Sequence, residues 1–336
     1  MSRCLFAIAV RADRERIANA PKDPGHREWL PITNVNVAFS ASGLRKLGVD
    51  IDNAPEFQQH EAFRAGQQAD AVTNLADPRH RDTGKLSSWK DEYLQRKIDV
   101  VISVTAATAS AADEEADEIE DIFGKSASLV TARLGNVRPG ASAGHEHFDY
   151  LDGVAMPRIK SFNDDKMPPG DTAIDAKVVL TGLDAGSDSI LKDGTFMVFR
   201  ELQQLVPEFN NFVKETAIGF NTPGVTADVV GARLVGRWKS GAPLILSPTK
   251  DDPKLGADAN RRQDFDYSTD LKQEVCPYAA HIRKTAPRAG TTVPASAFEE
   301  RMIMRHGIPY GPEVQPYERL AQKTQMERGL LFVCYQ

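Results

Sequence analysis

The chain has 336 residues, with 41 Lys and Arg against 47 Asp and Glu, a formal charge of −6 and an isoelectric point near 5.7. A mild acidic excess argues against a protein held to nucleic acid by phosphate neutralisation. With 41% apolar and 26% charged residues, disorder, collagen and coiled coil are poor descriptions, and the length corresponds to about two domains.

The first apolar run, Leu5–Val10, is far shorter than the roughly 20 residues of a membrane helix and is followed at once by Arg11, Asp13, Arg14, Glu15 and Arg16. It reads as a strand. Neither a membrane span nor a secretory leader is expected, which implies a cytoplasmic location, export by an unusual route being left open. Further along, Val35–Phe39, Val100–Thr105 and Ser128–Leu134 are predicted strands, and Ser42–Leu47 and Ala111–Phe123 predicted helices, the first of them bounded by serine and Gly48. Four strands and two helices are what a ferredoxin-like β-α-β-β-α-β unit requires, within an α+β class.

A Gly, Pro and Ala-rich stretch, 135–162, carries His145, Glu146, His147, Asp149 and Asp152 and reads as an ordered loop with chemistry on it. Beyond it, Val178–Thr181, Thr195–Arg200, Met302–Arg305 and Leu330–Tyr335 are predicted strands, and Pro207–Thr216 and Ala227–Trp238 predicted helices. Between them Gly241–Asp266 lacks periodicity, and an aperiodic loop of that length inside a compact domain is usually functional. The domain reading is an N-terminal ferredoxin-like unit, 1–140, and a C-terminal one, 141–336.

Seven carboxylates between Asp113 and Asp121 fit a solvated helix face far better than a metal site. His145 and His147 could share a metal on one side of an extended segment, but no third ligand stands at a helpful spacing. Three cysteines, Cys4, Cys276 and Cys334, have no CxxC spacing and read as inert thiols.

Three segments hold sharper patterns. Phe148-Asp149-Tyr150-Leu151-Asp152-Gly153-Val154-Ala155-Met156-Pro157 contains an Asp-Gly that by itself is a turn. In Cys276-Pro277-Tyr278-Ala279-Ala280-His281-Ile282-Arg283-Lys284-Thr285-Ala286-Pro287-Arg288, a histidine among small apolar residues precedes three cations. It fits either a core histidine or a haem ligand beside anion-binding groups. In Arg305-His306-Gly307-Ile308-Pro309-Tyr310-Gly311 an arginine ends an apolar strand and would need an anionic partner if buried.

Together these segments resemble the dye-decolorizing peroxidase family. Asp152-Gly153 is similar to the end of its GxxDG signature, His281 stands where the family has its proximal haem ligand, and Arg305 matches the distal arginine, followed by Ile-Pro-Tyr-Gly. Asn36–Gly48, Asp193–Phe212 and Leu234–Pro243 also look familial, so the resemblance runs from about residue 30 to the C-terminus. It implies two ferredoxin-like domains of the dimeric α+β barrel type, with haem b (iron protoporphyrin IX) bound mainly by the C-terminal one.

The resemblance further implies a peroxidase that reduces hydrogen peroxide, with His281 as axial ligand of the haem iron, Asp152 as distal acid/base and Arg305 stabilising O–O cleavage. Arg288 and Arg283 are implied partners of a haem propionate. Dyes or phenolic compounds are the implied one-electron reductants, oxidised from surface aromatics such as Trp89, Trp238, Tyr310 or Tyr335. An aspartate base implies an acid-shifted optimum, because Asp ionises near ~3.9 and His near ~6.5. No nucleic acid or membrane partner is expected, and a homo-oligomer is compatible with the family.

Two departures stand out. Asp149 replaces the signature's first glycine, and if it faced the haem its charge would blunt Asp152 as a base. Relatives usually continue beyond Leu330–Gln336, and the missing part looks like the source of a last helix and of an acidic partner for the proximal histidine. Two other classes compete: a haem-binding protein that keeps the fold without turnover, and a hydrolase using the carboxylates near His145–Asp152.

Overall fold

The computed structural model describes residues 33–183, 189–288 and 298–336. The expected first strand Leu5–Val10 and Cys4 lie outside them. The chain divides into two compact units, 1–132 and 133–336, against the expected boundary at 140–141.

In the first unit, β1 (Thr33–Phe39) pairs antiparallel with β2 (Val100–Ala106), from Thr33 opposite Ala106 to Phe39 opposite Val100. Between them come α1 (Ala41–Lys46), α2 (Glu61–Ala65), α3 (Gln67–Thr73) and α4 (Asp91–Gln95), and α5 (Ala109–Phe123) follows β2. Ser40 caps α1 by accepting from the Gly43 amide, and Thr108 caps α5 by accepting from Ala111. The acidic run lies on α5, which has no buried residue. Ser128–Leu134, expected as a strand, has no regular strand assignment.

The second unit is built on β5 (Met197–Gln203) and β8 (Gly329–Tyr335), which pair antiparallel along their full lengths. On the other side of β8 lie β6 (Met304–Arg305) and β7 (Ile308–Tyr310). These two keep one register, Arg305 opposite Cys334 and Ile308 opposite Leu331, and the His306 amide still donates to Val333 O. Met304–Tyr310 therefore acts as one edge strand with a break at His306–Gly307. A parallel pair, β3 (Arg158–Ile159) and β4 (Ala173–Ile174), stands apart.

Two helices pack together after β5: α6 (Val206–Phe220), with Pro207 in its first turn, and α7 (Ala227–Val235), capped by Thr226. The expectation that the second extends to Trp238 is corrected. It stops at Gly236, whose φ of +91° a side chain tolerates poorly. Val178–Thr181 is also corrected: Asp175 accepts from the Lys177 amide and turns Ala176–Val178 into a 3-10 helix, leaving Thr181 in an isolated bridge to Gly194. The long loop 241–266 is partly ordered as α8 (Pro253–Ala257), and α9 (His281–Thr285) and α10 (Pro316–Ala321) complete the unit. α+β is the observed class, with no closed barrel among the described residues.

The core explains how the site is held. Ala232 of α7, Trp238, Ala242, Leu244, Leu255 of α8, Tyr267, Cys276 and Ala280 form one buried cluster, so the segment after α7, the long loop and the approach to α9 share a single hydrophobic anchor.

Candidate functional site

Two close approaches aim the functional segments. A Cβ on Gly236 would stand 2.4 Å from Ile282 Cγ1; only a glycine lets the end of α7 press against the first turn of α9 that begins with His281. A Cβ on Gly241, φ +89°, would meet Leu151 Cδ2 at 2.8 Å. The Lys239 carbonyl accepts from the Leu151 amide, and Gly144 O accepts from Asp152 N. Glu146 closes the loop, its carboxylate accepting from the amides of Phe148 and Tyr150 and from the Gln204 side chain. Burial pushes that carboxyl up, and the hydrogen bonds oppose the shift.

This frame presents Asp152 to Arg305. Arg305 Nη1 lies 3.6 Å from Asp152 Oδ1, and both side chains keep about a third of their surface open. Arg305 Nη2 donates to Ala155 O at 2.9 Å, and its place opposite Cys334 in the sheet sets its height. His281 opens α9 with open surface of its own. Protein packed around it and the Arg305 guanidinium push its imidazole below the ordinary value, with Asp152 pulling the other way. Aspartate, arginine and histidine from three segments thus share one electrostatic site. Beside it a cavity of about 250 Å³ is lined by Gly153, Val154, Met156, Arg158, Arg262 and Met304, among others.

Arg288 is largely desolvated, which lowers its pKa; Nη1 donates to the carbonyls of Gln263 and Phe265, Nη2 to Gln263 Oε1, and the guanidinium lies 4.1 Å from the Phe265 ring centroid. Sequence reasoning missed Arg237, buried at 4% exposure, which donates to Gly241 O, Arg262 O and the same Gln263 side chain. Burial, with Arg288 nearby, pulls its pKa down to about 9. Neither cation has a carboxylate within ion-pair distance among the described residues. Uncompensated buried cations of this kind call for an anionic ligand, and the arginine inside the apolar Leu234–Trp238 run was the available signal.

Arg283 is corrected to a structural role. It is 1% exposed; Nη1 donates to Asp270 Oδ2 at 2.9 Å and to Cys276 O, and Nη2 to Asp270 O, so its charge is buried and already paired with a carboxylate. Asp149 does not crowd Asp152: its carboxylate meets Arg138 Nη1 at 2.8 Å and Lys239 Nζ at 3.8 Å. His145 Nδ1 lies against Ala143 O, and buried His147 places Nε2 2.9 Å from Tyr310 O, so the two rings serve the loop. No group of three His, Cys, Asp or Glu fit for a metal exists among the described residues. With Glu146 pinned to the backbone and Asp149 on cations, the hydrolase reading keeps only Asp152 of the three carboxylates, beside Arg305. Trp238 and Tyr310, expected at the surface, are 3% and 8% exposed.

The family model described as the DyP dimeric alpha+beta barrel domain matches residues 6–139. The chain is 43% identical over 321 residues to dye-decolorizing peroxidase AauDyP1 of Auricularia auricula-judae, covering 91% of this chain and 60% of that protein. It spans 58 to 60% of the length of this and two similar curated relatives. Among solved structures, an ancestral D-type dye decolorizing peroxidase superposes with a TM-score of 0.84 at 43% identity, over 97% of this chain and 70% of that one. A dye-decolorizing peroxidase in complex with 2,6-dimethoxyphenol superposes with a TM-score of 0.78 at 39% identity, over 94% and 69%. With identity at this level over more than two thirds of a solved relative, the chain belongs to the dye-decolorizing peroxidase family.

Proposed function

We propose that the chain works as a haem peroxidase, with haem b as cofactor, reducing hydrogen peroxide and oxidising dyes or phenolic compounds in one-electron steps. The observation that carries this reading is the meeting of Asp152 and Arg305 at 3.6 Å in the electrostatic field of His281. The residues suit haem. The His281 imidazole, whose pKa the protein around it and Arg305 lower, can donate a ring nitrogen to iron, and desolvated Arg288 and Arg237 suit a group carrying two carboxylates. His281 would hold the haem iron and Arg288 would hold a propionate. The complex with 2,6-dimethoxyphenol known for a relative supports a phenol as reductant.

Haem, when bound, supplies the iron that takes up peroxide and the capacity to store two oxidising equivalents. Asp152 moves the proton: its carboxylate removes it from one peroxide oxygen and returns it to the other, which departs as water. Arg305 offsets the negative charge that builds as the O–O bond separates, and since guanidinium stays protonated it does not compete for that proton. At 3.6 Å the Asp152–Arg305 pair is longer than a hydrogen bond, so both groups remain available to a small guest.

The test is an absorption spectrum of the haem-loaded protein followed by a peroxide pulse. The expected result is a haem band that changes within the pulse, and an Asp152→Asn variant that loads haem equally but changes about 10²–10⁴-fold more slowly. A haem band indifferent to peroxide, or no haem band, would overturn the proposal.

A further inference from the structure

Asp152 and Arg305 come from separate parts of the chain, and one buried polar bracket joins the two segments. Residues 146–150 form a tight turn in which the Glu146 amide donates to Tyr150 O, and the Glu146 carboxylate closes the same turn by accepting from Phe148 N at 2.9 Å and Tyr150 N at 2.8 Å. Gln204, buried at the end of β5, grips this turn with both ends of its side-chain amide. Its Nε2 donates to Glu146 Oε2, and its Oε1 accepts from His147 N at 3.3 Å. Buried His147 then reaches the edge strand, where its Nε2 donates to Tyr310 O at 2.9 Å.

We propose that Glu146 is a positioning residue for peroxide cleavage: with Gln204 and His147 it fixes the separation of Asp152 and Arg305, an inference that rests on the peroxidase reading. Asp152 follows the turn by two residues, and Arg305 lies on the edge strand that ends at Tyr310. The bracket therefore grips the chain just before the proton-moving carboxylate and the strand that carries the charge-offsetting guanidinium.

The chemistry of the bracket requires a carboxylate at its centre. Two backbone amides and the Gln204 NH2 converge on Glu146, three donors on a group that has only acceptors when ionised. A glutamine there would turn its own NH2 toward one of those donors, and a donor facing a donor in a buried network is costly. His147 carries a matching constraint: a carbonyl only accepts, so the ring proton sits on Nε2. The far end of the loop has separate anchors, since Leu151 N donates to Lys239 O and Asp152 N to Gly144 O. Losing the Glu146 charge is thus expected to shift Asp152 against Arg305 without unfolding the loop. A misplacement of about 1 Å is enough to slow a reaction by up to about 10²-fold.

The experiment compares the haem-loaded parent with Glu146→Gln, Asp152→Asn, the double variant and Asp99→Asn. Asp99 accepts from Ser42 and Lys46 in the first unit, so its variant is the control for losing a carboxylate contact elsewhere. Three quantities are measured: the rate at which a peroxide pulse changes the haem band, the rate at which 2,6-dimethoxyphenol reduces protein already oxidised by peroxide, and hydrogen exchange of the peptide spanning 144–153. For Glu146→Gln the expected result is a peroxide step slower by about 10–10²-fold, an unchanged phenol step and faster exchange of the peptide, with Asp99→Asn unaltered in all three. Because Glu146 acts through Asp152, adding Glu146→Gln to Asp152→Asn is expected to slow the peroxide step by less than about twofold more. A normal peroxide step in Glu146→Gln, equal slowing of both steps, or full additivity in the double variant would overturn this proposal alone. Should Glu146→Gln fail to fold, Gln204→Met, which removes the clamp at similar side-chain length, carries the same expectations. A parent haem band that peroxide does not alter would overturn the peroxidase reading with it.

Discussion

Asp149 adopts φ +72°, the left-handed region, where the family signature that the sequence resembles has glycine. Aspartate is among the side chains that tolerate this region, and here its carboxylate also binds Arg138 and Lys239. Replacing it by alanine removes both the tolerance and the ion pair. Asp149→Ala is expected to lower stability by about 1–3 kcal/mol, whereas Asp149→Gly, which exchanges the pair for conformational freedom, is expected to stay within about 1 kcal/mol of the parent. Denaturant midpoints of the two variants check this, and equal losses would remove the backbone argument. The substitution was legible in sequence, but the direction of its side chain was not, because that depends on Arg138 and Lys239 arriving from other segments.

At the scale of elements, α10 and the turn into β8 are held by a fully enclosed pair, Glu318 and Arg328, each with 0% side-chain exposure. Glu318 accepts from Arg328 Nη2 at 2.5 Å and from the amides of Gln315, Gln325 and Met326, and Arg328 Nε donates to Pro312 O. Removing the charge strands a buried guanidinium. Glu318→Gln is expected to cost about 3–5 kcal/mol, read as a fall in the urea midpoint; a loss below 1 kcal/mol would show that the guanidinium finds water or another acceptor. Long periodic elements such as α5, α6 and β8 were readable from sequence to within a few residues, since their apolar spacing and caps are local. Val178–Thr181 failed because a local Asp175 cap competes with strand pairing, and the pair of β6 and β7 emerges as one strand only through its shared partner β8.

For the molecule as a whole, several carboxylates of the second unit are held below the usual range. The Arg328 contact lowers Glu318 far, and Arg138 lowers Glu313. Burial raises Asp270, but the Cys276 and Val275 amides and Arg283 outweigh it. Folded values below unfolded ones mean that the unfolded chain binds more protons as pH falls past roughly 4. This stabilisation is therefore complete at neutral pH and declines as acid titrates the unfolded carboxylates. Melting temperatures are expected to be nearly level from about pH 5 to 7 and to fall below about pH 4; a melting temperature indifferent to acid would contradict these assignments.

The sequence by itself determined the class, the family resemblance and the three motifs bearing Asp152, His281 and Arg305, because each motif is a short run whose residue types are specific in combination. It also supported Arg288 as an anion-binding candidate. Only the tertiary structure decided that Arg283 is enclosed on Asp270, that Asp149 turns to cations, that Trp238 is core and that Arg237 joins Arg288 around Gln263. The physical reason is range: caps, turns and periodicity act over a few residues, whereas the environment of a charge is set by whichever segments the hydrophobic core brings beside it.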